Sequence, residues 1–202
     1  MPRIRWLPAL LLVGFVLAPP TSAHAALGFS LFGDLNFANL NAKDAVTGAD
    51  LNNHAKLGFG GGLGIDLPLG SRVAIGIGLQ YDRLTYHDPR RALDFTFTRF
   101  NVPVLLRVFL ARPVFISVGG YYNVGLGGIR DSQGDTYTYA PLNRIYDYGL
   151  VTGVGFHLGR ILLEGRYYLG LAENSANLNI AASQKWTNIQ ILFGILLGAQ
   201  SK

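Results

Sequence analysis

Hydrophobic and polar positions alternate with a period of two from Leu57 to Arg83. Leu57, Phe59, Leu63, Ile65 and Leu67 share one parity, and Gly58, Gly60, Gly62, Gly64 and Asp66 share the other. Beyond Pro68-Leu69-Gly70-Ser71 the alternation restarts, with Val73, Ile75, Ile77, Leu79 and Tyr81 set against Ala74, Gly76, Gly78, Gln80 and Asp82. Two arms of period two joined by a Pro/Gly turn predict an antiparallel β-hairpin. Its second face is mostly glycine, which weakens a strand unless something needs the space.

The same pattern recurs along the chain. It predicts strands over 27–38, 57–67, 73–83, 94–110, 114–126, 145–158, 161–171 and 186–197. Polar loops are expected over 39–53, 85–93, 128–144 and 172–185, and short turns between the remaining neighbours. In the fourth strand Phe95 and Phe97 fall on the opposite parity from Phe100. Either a bulge lies near Thr98-Arg99 or the upper strand runs beyond the apolar zone. Each strand is long enough to cross a bilayer when tilted, and the connections alternate long and short. The expected fold is all-β: an eight-stranded antiparallel up-and-down transmembrane β-barrel of the OmpA/OmpX-like architecture. Short turns and both termini are expected in the periplasm. The loops around Asp50, His87, Thr136 and Ala176 are expected outside.

A soluble barrel would bury the large apolar face and leave a wet field of glycine with little to hold the strands. The inverse arrangement explains more. The apolar parity carries almost no charge, while the other parity holds Asp34, Asp66, Arg72, Asp82, Arg107, Asp147, Glu164 and Arg166. An eight-stranded barrel is narrow, so glycine on its inner face leaves room for Arg and Tyr. Phe37, Phe59, Tyr81, Tyr146, Tyr148 and Trp186 fall near the outer strand ends, as an interfacial girdle requires. Phe29 and Phe156 mark a sparser lower girdle.

Composition agrees. Half of the residues are hydrophobic and 14% are charged. Arg3 and Arg5, an apolar run from Leu7 to Ala18 and the small-residue stretch ending Ala23-His24-Ala25 read as a secretory signal peptide over 1–25. The barrel domain is then 26–202, exported to the outer membrane of a Gram-negative cell. Setting Arg3 and Arg5 aside leaves 15 basic against 12 acidic residues, spread without a basic run, so nucleic acid is not implied. The chain has no cysteine, which excludes a disulfide scaffold and a thiolate zinc site.

Three segments together resemble the PorT-like outer-membrane β-barrel proteins. Asn101-Val-Pro-Val-Leu-Leu-Arg107 resembles their "xIPxLLK" strand, Tyr146-Asp-Tyr-Gly-Leu-Val-Thr-Gly-Val-Gly155 their "fDfGlvxGxG" strand, and Leu163-Glu-Gly-Arg-Tyr-Tyr-Leu-Gly-Leu171 their "lEaRYxxGL" strand. The order and spacing extend over nearly all of the chain after the signal. Asn101 stands where the family usually has an acidic residue, and the chain ends without the terminal aromatic common in barrels. Phe193 and Leu197 are expected to serve as the assembly signal instead. The resemblance implies a fold and a location; the secretion role of the name-giving member is not carried over.

The chemistry expected inside is an ionic network of Asp34, Asp66, Arg107, Asp147, Glu164 and Arg166, since unpaired ions in so narrow a lumen are costly. Its functional reading is a gate or a proton path; its structural reading is a network that fills the lumen. Ser117, His157 and Glu164 lie on successive strands and form a candidate hydrolase triad. Gly60-Gly-Gly-Leu-Gly64 and Gly153-Val-Gly155 open no helix and are not nucleotide loops. His54, His87, Asp50 and Asp88 lack zinc-site spacing, and no catalytic residue, metal or cofactor is called for. The reading is a non-enzymatic barrel with a plugged polar lumen and four external loops, in a structural or surface-interaction role. Its partners are membrane lipid, the barrel-assembly machinery and a loop ligand. A small diffusion channel and a lipid-directed hydrolase are the alternatives.

Overall fold

The computed structural model describes residues 27–44, 54–88, 92–111, 113–137, 146–172 and 181–197. The expected signal peptide and the loop positions Asp50 and Ala176 lie outside these. Nine strands follow in order: β1 (Gly28–Asp44), β2 (His54–Pro68), β3 (Val73–Asp88), β4 (Leu93–Ala111), β5 (Val114–Asp131), β6 (Thr136–Tyr137), β7 (Tyr146–Leu158), β8 (Ile161–Gly170) and β9 (Ala181–Leu196). All except β6 form one antiparallel ring. Each strand pairs with the next, and β9 returns to β1 through pairs such as Leu31↔Ile195. The two-residue β6 pairs with the far end of β5 through Ile129↔Tyr137. Closure leaves the barrel no open sheet edge along its belt.

The alternation decides the faces. Leu31, Leu35, Leu63, Leu79, Val104, Val118, Leu150, Val154, Ile191 and Phe193 all point outward, each between 38 and 55% exposed. Asn36, Gln80, Asp82, Asn101, Glu164 and Gln190 point inward and are fully buried. An apolar exterior around a polar interior is the arrangement of a barrel solvated by lipid. The four-residue turn 69–72 carries Arg72, which is exposed; the expectation of Arg72 in the lumen is therefore corrected.

Except for β7 and β8, the ring strands are longer than the sequence pattern predicts, up to 19 residues in β4. About ten residues suffice to cross a bilayer. The surplus lies at the end opposite the short turns, called here the loop end. There the outward positions become polar, with Asn39, Asn41, Thr85, Thr96, Thr98 and Thr187, so the apolar alternation stops while the pairing continues. The positions 39–44, 85–88 and 181–185, expected in loops, are strand.

β4 keeps one register against β3 from Leu93 to Val108, so it has no bulge at Thr98-Arg99 on that side. The irregularity is opposite Phe97, where β5 carries extra residues. Phe95, Phe97 and Arg99 consequently all point inward. Trp186 does too: it packs on Ala38, Leu84 and Phe97 inside the loop end, which corrects its expected place in the outer girdle. Its ring meets Phe97 at 4.6 Å and Tyr86 at 5.6 Å, and Tyr86 stacks on Phe95 at 5.4 Å. The protruding strand ends thus enclose an aromatic core of their own.

Candidate functional site in the barrel lumen

Inward parity brings side chains from all eight ring strands into one narrow space, and the ions there find partners across it. Arg107 on β4 donates from Nη1 to both carboxylate oxygens of Asp66 on β2, at 2.6 Å each. Its Nη2 donates to Glu164 Oε2 on β8 at 2.9 Å. Arg166 Nη2 donates to the same oxygen at 2.8 Å, and Ser117 Oγ on β5 donates to Glu164 Oε1 at 2.9 Å. Glu164 is completely buried and lies between two guanidinium groups. Charge-assisted hydrogen bonds of this kind are the strong ones, and they offset the cost of holding ions away from water. The ring of Phe115 lies under Arg107 at 5.2 Å and that of Phe32 under Arg166 at 5.9 Å.

The network continues toward the loop end through neutral groups. Gln80 Oε1 accepts from Tyr168 Oη at 3.2 Å and from Asn101 Nδ2 at 3.2 Å, with Arg166 Nη1 at 3.4 Å. Gln80 Nε2 reaches Gln190 Oε1 at 3.4 Å, and Gln190 Nε2 reaches Asp82 Oδ1 at 3.3 Å. Arg99 Nε closes the series on Asp82 Oδ2 at 3.1 Å. Beside it Leu105, Tyr121, Val151 and Tyr168 form a small apolar cluster.

Of the six expected network residues, Asp66, Arg107, Glu164 and Arg166 join one ion network. The other two do not. Asp34 accepts from Asn36 Nδ2 at 3.1 Å, and Asp147 accepts from Tyr121 Oη at 3.0 Å with Asn123 Nδ2 at 3.4 Å. Neither forms an ion pair among the described residues, which corrects their expected place in the network. The sequence reading missed Arg99, because the parity break around Phe100 hid its direction. It also missed Gln80, Gln190 and Asn101, whose inward parity was visible but whose partners sit on strands far away in the chain.

The candidate triad is not assembled. Ser117 bonds Glu164 directly, and His157 Nε2 has no hydrogen-bond partner. The His157 ring packs instead on Phe115 at 4.9 Å and Phe109 at 5.5 Å, so no imidazole stands between hydroxyl and carboxylate. At the loop-end rim Asp94 accepts from Lys56 Nζ at 2.6 Å and lies 2.7 Å from His87 Nδ1, and His87 stacks on His54 at 6.5 Å. Those two contacts hold the Asp94 carboxyl below its usual range, Lys56 contributing most. Among the described residues no three His, Cys, Asp or Glu side chains gather as a metal cage.

The sequence from 21 to 175 matches the model of the "Outer membrane protein beta-barrel domain". This chain belongs to the outer-membrane β-barrel domain family. No curated protein matches it. Among solved structures it is similar to Neisserial surface protein A, with a TM-score of 0.56 and 12% identity over 83% of this chain and 96% of that one. It is also similar to Ail, the attachment invasion locus protein of Yersinia pestis (TM-score 0.49, 11% identity, 84% and 99% covered). OprG from Pseudomonas aeruginosa follows (TM-score 0.44, 10% identity, 87% and 97% covered). At such identities the likeness is one of fold: an outer-membrane barrel of eight ring strands whose interior side chains are this chain's own.

Proposed function

We propose that this outer-membrane barrel has a lumen plugged by its own side chains, and that it acts through its surface in a structural or interaction role. The observation that carries the reading is Glu164. Fully buried, it ties Arg107 to Arg166 across the lumen. The aromatic cluster of Tyr86, Phe95, Phe97 and Trp186 supports it with a second obstruction at the loop end. An eight-stranded ring encloses a space that side chains just fill. In this reading the loop end faces outward, the short turns face the periplasm, and residues 1–25 are removed on export. PorT-like kinship rests on the three strand segments ending at Arg107, Gly155 and Leu171. The partners are outer-membrane lipid around the belt, the assembly machinery, and a ligand of the external loops.

The test is electrical. Purified barrel in planar bilayers is expected to show no stable conductance, while heating before electrophoresis converts the fast-running folded band to a slower one. A reproducible open pore would replace this reading with the diffusion channel. The hydrolase alternative predicts release of fatty acid or peptide that is lost in Ser117→Ala; no such release is expected.

A further inference from the structure

The glycine-rich inner face of β2 raises the question of what needs its space, and Gly60 answers it. A Cβ on Gly60 would stand 2.6 Å from Asp34 Oδ2, 2.7 Å from Asp82 Oδ1 and 2.7 Å from the Tyr81 carbonyl oxygen. Carboxylate oxygens from β1 and β3 therefore converge over β2, at a spot that only a glycine leaves open. Asp34 is 4% exposed, and its Oδ2 has no hydrogen-bond partner. The neighbouring Asn36 is fully buried, and its Oδ1 is also unpartnered. A buried carboxylate without a cation, facing a second carboxylate, requires a counter-charge.

The surroundings specify its kind. The Asp66–Arg107–Glu164–Arg166 network balances two acids with two bases. Over the lumen as a whole Asp34, Asp66, Asp82, Asp147 and Glu164 stand against Arg99, Arg107 and Arg166, an excess of two negative charges. The unpartnered atoms there are mostly acceptors: Asp34 Oδ2, Asn36 Oδ1, Asn101 Oδ1, Asn123 Oδ1 and Asp147 Oδ1. A cavity lined by Ser30, Gly64, Asp66, Gly76 and Arg107 lies further along the inner face of β2. Carboxylate, amide and carbonyl oxygens with retained water are the donor set of an alkaline-earth ion, which one or two carboxylates suffice to hold. We propose that Asp34 and Asp82 bind a partly hydrated divalent cation of the Ca²⁺/Mg²⁺ class over Gly60, inside the lumen. The site does not depend on the proposed surface role.

Trp186, the one tryptophan beyond residue 26, sits inside the loop end and can sensitise a lanthanide in the lumen. The mature chain is refolded in detergent with Tb³⁺, and emission is followed on exciting the indole. The expected result is a saturable signal that Ca²⁺ displaces. Affinity should be at least tenfold weaker in Asp34→Asn and in Gly60→Ala, and unchanged in the rim variant Asp94→Asn. Wild-type barrel refolded with Ca²⁺ should resist urea better than barrel refolded with chelator. Asp34→Asn should be the more stable of the two proteins in chelator and the less stable with Ca²⁺. The wild-type comparison stands even if both variants fail to fold. Equal Tb³⁺ binding in wild type, Asp34→Asn and Gly60→Ala would overturn the proposal, as would no binding at all. So would a wild-type urea midpoint that ignores Ca²⁺ and rises only on mild acidification, which marks a shared proton instead.

Discussion

Glu164 holds two ion pairs inside the lumen, with Arg107 and Arg166. Replacing it by Ala leaves Arg166 without its ion pair, while Arg107 keeps Asp66. Stranding a buried charge costs about 3–5 kcal/mol, so Glu164→Ala should lower the urea midpoint of the refolded barrel steeply. Glu164→Ala with Arg166→Ala should cost less than the single change, because the stranded guanidinium is gone. A double variant as unstable as the single one would show that Glu164 matters by packing alone. Glycine supplies the second residue-scale test. A Cβ on Gly119 would run into the Val104 carbonyl oxygen, whereas one on Gly70 meets nothing within 4 Å. Gly119→Ala should therefore shift the midpoint down and Gly70→Ala leave it in place, read in the same titration. Inward parity alone does not make a position roomy. Gly153 faces the lumen, yet its Cβ would lie 2.7 Å from the Gly165 carbonyl oxygen and 2.8 Å from Ser117 Oγ.

At the scale of the strand, what matters is where the apolar belt begins and ends. Leu163 on β8 faces outward opposite Phe156 and Phe193. Leu163→Arg puts a guanidinium against lipid at a cost of about 2–4 kcal/mol near the midplane, and should reduce the folded fraction on an unheated gel. Full folding of that variant would place Leu163 outside the belt. Beyond the belt β2, β3 and β4 share the Lys56–Asp94–His87 contacts. The Asp94 carboxyl is held low in the folded protein, so its contribution is present above the usual carboxylate range and is lost as pH falls through the lowered value. An NMR titration of Asp94 should give a midpoint below that of an exposed aspartate, and Lys56→Ala should move it back up. Of the three residues His87 lies on strand that the sequence reading gave to a loop, since the apolar alternation ends where lipid ends.

For the whole molecule, orientation is the property with most consequence, because it decides which end meets other molecules. The chain has no cysteine, so single introduced thiols report without interference. Gln133→Cys, in the exposed segment after β5, should react with an impermeant maleimide on intact cells. Leu69→Cys, in the turn between β2 and β3, should react only after the outer membrane is opened. Reversed labelling would invert the barrel and assign the loop end to the periplasm.

The alternation of side chains is a covalent property of an extended backbone, so the sequence alone determined the number of ring strands, the short turns and which parity faces lipid. It also determined that Asp66, Arg107, Glu164 and Arg166 share one interior. Which inward groups touch is not a local property. It depends on the stagger with which the ring closes, and that stagger set Gln80 against Gln190, 110 positions away, and Asp34 beside Asp82 across Gly60. Trp186 was misread and Arg99 missed for a related reason. Near the strand ends both faces carry large or polar residues, the hydrophobic contrast that marks inside from outside fades, and only the paired backbone fixes the direction of each side chain.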